Sequence, residues 1–93
     1  MKHSLLREIL EQEKNNLYYE KEMVYEVLEQ KVKEIGLVLV RSNNKQAQVR
    51  TTWKTAVGDE MLGKTYASIY LEKEPCIDGT LYYFSYKLRN VDK

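Results

Sequence analysis

The chain predicts an α+β domain: a long N-terminal helix packed on a four-stranded antiparallel meander sheet, in the order α-β-β-β-β. Three observations predict it. The hydrophobic period changes at Gly36 from the roughly 3.6 residues of a helix to the 2 of a strand. Residues 4–35 hold no Gly or Pro and are rich in Glu, Lys, Leu and Gln, all good helix formers. The charge also changes sign at the same place. Residues 1–36 carry six Lys/Arg and eight Glu, a net of −2, while residues 37–93 carry nine Lys/Arg and six Asp/Glu, a net of +3.

The helix is predicted from about Ser4 to Ile35. At 100° per residue, Leu6, Leu10, Leu17, Val24, Leu28 and Ile35 fall within about 40° of one another. The stripe keeps its phase across Asn15-Asn16, and both Asn side chains project away from it, so one continuous helix is preferred to a break there. Gly36 suits a left-handed C-terminal cap, and Lys31 and Lys33 suit the last turn. Such a helix is roughly 48 Å long, whereas a 93-residue domain has a radius of gyration of only about 12 Å. Residues 17–35 are enough to cover the sheet. The surplus segment, with Leu5, Leu6, Ile9 and Leu10, is therefore expected to meet another chain, forming a homodimer or a hetero-complex. The alternative is a kink at Asn15-Asn16 that returns the segment to its own core.

Strands are predicted at 37–41, 46–57, 65–72 and 80–88. Asn43-Asn44 reads as a hairpin turn, Gly58–Gly63 as a loop, and 74–79, with Pro75 and Asp78-Gly79, as a turn. Short links between consecutive strands favour a meander. Alternation sorts the strand residues into two faces. Ala47, Val49, Thr51, Trp53, Thr55, Val57, Ala67, Ile69, Leu71, Tyr82, Phe84, Tyr86 and Leu88 form the apolar face, with Trp53 beneath the helix. Gln48, Arg50, Thr52, Lys54, Tyr66, Ser68, Tyr70, Glu72, Tyr83, Ser85, Lys87 and Arg89 form the wet one.

The size fits a single domain, residues 1–93, with one modest core. The single Cys, Cys76, allows no internal disulfide. No apolar run suits a signal peptide or approaches the roughly 20 residues of a membrane span, so a cytoplasmic setting is expected. A catalytic Cys76 needs a nearby base and the only His, His3, sits at the chain's fraying end, the loop acids Asp59, Glu60 and Asp78 lack metal-ligand spacing, and no Gly-rich phosphate loop is present. No enzyme activity, cofactor or metal is therefore expected.

What remains is a binding surface. From Leu37 to Gly58 the chain carries Arg41, Lys45, Arg50 and Lys54 and no acid. The wet face adds tyrosines and further cations. Solvated sheet surfaces share that composition, but Tyr and Arg are also the anchors of protein interfaces. The expected function is a small non-catalytic protein-binding module that occupies a surface of a larger macromolecule. Its size and its Lys/Glu/Tyr/Asn-rich composition suit a phage- or mobile-element-encoded inhibitor or accessory protein. The expected contacts are Arg50, Lys54, Tyr66, Tyr70, Tyr83, Lys87 and Arg89, against a partner that is acidic or itself binds nucleic acid. The alternative is a single-stranded nucleic-acid-binding protein that stacks bases on the same tyrosines.

Overall fold

The computed structural model describes residues 2–89. Two helices, α1 (Lys2–Glu13) and α2 (Lys21–Glu34), precede four strands: β1 (Val38–Arg41), β2 (Gln46–Lys54), β3 (Glu60–Cys76) and β4 (Gly79–Leu88). The strands pair antiparallel in the order β1-β2-β3-β4, the meander expected from the short links.

The single long helix is not formed. It breaks where the two Asn stand: Asn16 N–H and Asn16 Nδ2 both turn back onto Glu13, through its carbonyl and its carboxylate. Leu17 lies outside any helix, and Tyr18 forms a β-bridge with Tyr82 through two backbone hydrogen bonds, at 2.9 and 2.6 Å. That bridge occupies part of the outer edge of β4, which would otherwise present unpaired N–H and C=O groups. The break has an energetic reason. Folding α1 back buries Leu6 and Leu10 completely, and a continuous rod would have left both in water. Burying a leucine contributes about 1.5–3 kcal/mol, which outweighs the few helical hydrogen bonds lost between Lys14 and Glu20. Leu6 and Leu10 are thus corrected from self-association residues to core residues. Leu5 is exposed and Ile9 half-buried.

The stop of α2 follows the expected chemistry. Gly36 takes φ +83°, its N–H bonds to Lys33 O, and Leu37 N–H bonds to Val32 O at 2.9 Å. The reciprocal pair satisfies two orphan carbonyls, and buried Val32 and Leu37 supply the apolar contact that goes with such a cap. Lys2 Nζ reaches this turn, so α1 begins where α2 ends. At the other end of α2, Arg41 of β1 grips Glu22 with two hydrogen bonds, at 2.8 and 3.3 Å, and its guanidinium lies 4.2 Å from the Tyr25 ring centre. Burial raises the Tyr25 phenol above its ordinary pKa, with Arg41 opposing the shift.

The strand phase is as alternation predicts over the core. Ala47, Val49, Ala67, Ile69 and Phe84 are buried against Leu6, Leu10, Val24, Tyr25, Leu28, Val32 and Leu37, with Leu71, Tyr82, Tyr86 and Leu88 packed around them. The extent of β3 differs from the expectation. It runs 17 residues, through the segments expected as loop (60–63) and turn (74–76). At about 3.3 Å per residue it spans the long axis of the 53 × 25 × 19 Å molecule. Pro75 is tolerated because it pairs only with Thr80 of β4, in a stretch that β2 does not reach. Asn43-Asn44 does turn the β1–β2 hairpin, with no residue other than glycine at positive φ among those described; Asn43 Oδ1 accepts from Lys45 N–H instead.

Tyr86 of β4 donates its hydroxyl to Glu11 of α1. Desolvation and this bond push the Tyr86 phenol up to about 12, while the same bond holds the Glu11 carboxyl below its ordinary value. Tyr86 has the higher pKa in the folded state, so its contribution is complete below pH ~10 and is lost as the pH rises through 12. Glu11 has the lower one, so its share is present above the ordinary glutamate range and is lost on acidification. Tyr86→Phe is expected to flatten the fall in stability between pH 10 and 12 in urea titrations; an unchanged fall would show that this pair is not its source.

Candidate functional site

Both ends of β3 outrun the helical layer. At one end β3 and β4 form a hairpin tip with a fully exposed Ile77. At the other, β2 and β3 continue past the last β1–β2 pair, Val38↔Arg50, and past Leu88 of β4, which pairs with Ala67. Residues 51–63 therefore form a two-stranded arm that, among the described residues, no helix covers and no third strand flanks.

Two β-bulges set the arm apart. From Val49↔Ala67 to Arg50↔Thr65, β2 advances one residue and β3 two; from Arg50↔Thr65 to Thr52↔Leu62, β2 advances two and β3 three. Each bulge bends the ladder and increases its twist. At the first, Tyr66 is the extra residue. It leaves the wet face and packs toward the helices, its ring 6.2 Å from that of His3, whose Nε2 lies 3.0 Å from Arg89 O. At the second, Arg50 Nε and Nη2 donate to Gly63 O at 3.1 and 2.9 Å, and Lys64 N–H donates to Thr51 Oγ1. Arg50, expected as a partner contact, thus spends its guanidinium on a carbonyl of the bulge. A Cβ at position 63 would run into Thr51 Oγ1. Gly63→Ala is expected to cost about 1–3 kcal/mol, as overpacking does, with part of the loss recovered in Gly63→Ala/Thr51→Ala. Full additivity of the two single changes in urea unfolding would rule out the contact as the cause.

Trp53 does not lie beneath the helix. It is 53 % exposed on the arm, paired across the strands with Met61. Thr51 and Trp53 keep the phase of Val49, but the helices end before reaching them. Leu62, paired with Thr52, is exposed on the opposite face, and Val57 is exposed at the tip. Thr55 N–H and Asp59 N–H, bonded to Asp59 O and Thr55 Oγ1, close the turn. Lys54 pairs with Glu60 near the tip, away from the other predicted contacts.

Of the seven predicted contacts, the sheet brings Tyr70, Tyr83, Lys87 and Arg89 onto one face, in the rows Ser68↔Lys87, Tyr70↔Ser85 and Glu72↔Tyr83. Tyr66 has left that face, whereas Arg50 keeps the phase of Gln48 but is bonded to Gly63 O, and Lys54 stands out near the tip of the arm. The acid-free run Arg41–Lys54 is likewise no single patch, since Arg41 is paired with Glu22. At the centre of the face Ser68 is buried, and Arg89 Nη2 donates to its hydroxyl. A polar dip of about 120 Å³ opens there, lined by Ser42, Gln46, Ala47, Gln48, Ser68, Tyr70 and Arg89. Sequence reasoning missed both the arm and the dip. A signal for the arm was present: the predicted 46–57 strand is much longer than the five residues at 37–41 that flank it.

His3 and Cys76 are far apart: His3 lies beside Tyr66, ten residues or roughly 33 Å along β3 from Cys76. Among the described residues no His, Cys, Asp or Glu cluster could hold a metal ion, and no helix is long and apolar enough to cross a membrane. No family model, curated protein or solved structure matches the chain.

Proposed function

We propose that the chain is a small non-catalytic protein-binding module that acts by occupying a surface of a larger macromolecule. The observation that carries this reading is the arm. Trp53, Val57, Met61 and Leu62 are all exposed on one short hairpin. Apolar side chains gathered this way mark interaction sites, and Trp is the residue most enriched among interface anchors. An isolated two-stranded hairpin is marginal in water. A protein that covers the face bearing Trp53 and Met61 buries the apolar surface that the arm exposes. Steric block or adaptor docking in the cytoplasm is the corresponding mode of action, as suits an inhibitor or accessory protein of a phage or mobile element. The nucleic-acid reading draws less support, because its cations are dispersed: Arg41 and Arg50 have intramolecular partners and Tyr66 faces His3. Self-association through α1 keeps only Leu5 and Ile9.

The test is capture from a nuclease-treated extract of the native host on immobilised chain, wild type against Trp53→Ser. A protein retained by the first and lost from the second supports the reading. Retention of polynucleotide alone from an untreated extract, falling steeply with salt, sinks it.

A further inference from the structure

The polar dip on the open face of the sheet has a chemistry of its own. Apart from Ala47, each lining residue, Ser42, Gln46, Gln48, Ser68, Tyr70 and Arg89, carries a side-chain N–H or O–H donor, and among the described residues no acid lines the dip. Glu72, two residues beyond Tyr70 on the same face, is engaged by the Ser85 hydroxyl at 3.0 Å. Lys87 stands opposite Ser68 on β4 and adds a second positive charge at the rim. Ser68 is the informative residue. It is only 7 % exposed in the middle of a sheet face that is otherwise wet. Its oxygen accepts from Arg89 Nη2, so its proton is free to be donated.

We propose that this dip binds a carboxylate presented by an acidic side chain of a protein partner. The guanidinium of Arg89 supplies the charge-assisted bond, and Ser68, Tyr70 and Gln48, which line the same dip, supply donors for the remaining lone pairs. Size and charge favour this source. A dip of about 120 Å³ holds one small oxyanion with a water or two. A nucleic-acid strand needs cations spaced along its phosphates; beside the dip, among the described residues, the face offers Arg89 and Lys87, with Glu72 close by and Arg50 engaged by Gly63 O. The proposal rests on the protein-binding reading for the source of the carboxylate; its residues are separate from the arm.

The experiment follows the amide signals of Gln48, Ser68 and Tyr70 by NMR in the isotope-labelled full chain. The probes are acetate, inorganic phosphate, a short glutamate-rich peptide and a thymidine oligonucleotide. Acetate is expected to shift these three signals saturably, and the peptide is expected to bind more tightly than acetate. Arg89→Gln, at an exposed residue and checked for an unchanged circular dichroism spectrum, is expected to weaken acetate binding about tenfold or more. Ser68→Ala is expected to weaken it severalfold, and Lys54→Gln, which removes a distant charge, by less than about twofold. The absence of a saturable shift at these amides would overturn the site, as would equal shifts in Arg89→Gln. An oligonucleotide that binds more tightly than the peptide would overturn the carboxylate assignment. Trp53→Ser should leave the titration unchanged, so failure of the dip and failure of the arm register separately.

Discussion

Leu10→Ala is expected to lower the free energy of unfolding by about 2–5 kcal/mol, the range for deleting a fully buried leucine side chain. Leu10 has no exposed surface, and it lies in one cluster with Leu6, Val24, Leu28 and Phe84. The effect should be large against a total stability of roughly 5–15 kcal/mol for a small domain. It should also propagate. At 12 residues α1 is too short to be stable alone in water, so its helicity depends on this packing. The midpoint in urea should fall, and it should not depend on protein concentration. A dimer held by α1 would instead show a midpoint that rises with concentration, because association stabilises by mass action. Leu5→Ala, on the exposed flank, should change stability by less than about 0.5 kcal/mol. If Leu10→Ala proves as mild as Leu5→Ala, α1 is not part of the core.

The same leucines show how far periodicity carries. The wheel placed Leu6 and Leu10 on one stripe with Val24 and Leu28, and all four do face one core. Phase alone does not distinguish a straight rod from two antiparallel segments that each present the stripe inward. The choice was made by tertiary terms: the edge bridge at Tyr82 and the area gained by folding back. The sheet was more legible, since Gly36, the alternation of Ala47 and Val49 and that of Ala67 and Ile69 are local signals. Bulges are not. One extra residue at Tyr66 was enough to move that side chain off its expected face, and a second near Gly63 turned Arg50 inward on the backbone. Trp53 failed for another reason. Its face was assigned correctly in phase, but nothing in a period of 2 says where the covering helix ends. The grouping of Tyr70, Lys87 and Arg89 followed from alternation, whereas the dip beside Ser68 depends on register between strands far apart in sequence.

The clearest functional prediction concerns that same Trp. Trp53→Ser is expected to leave the fold nearly as stable as before, within about 1 kcal/mol in urea, because half of the residue already faces solvent and it lies outside the core cluster, opposite Met61 on the arm. Affinity for a partner should instead fall by about 2–4 kcal/mol, roughly 30- to 1,000-fold, as when an interface anchor is truncated. Met61→Ser should weaken binding less, and Lys54→Gln, near the tip, should mainly alter the salt dependence. Because the chain has a single Trp, the residue also reports on itself. Its emission in the free protein should be that of a solvent-exposed indole and readily quenched by acrylamide. Adding the captured partner should shift it to the blue and protect it from quenching. Binding that leaves Trp53 as quenchable as before would place the interface elsewhere on the molecule, whatever the mutants show.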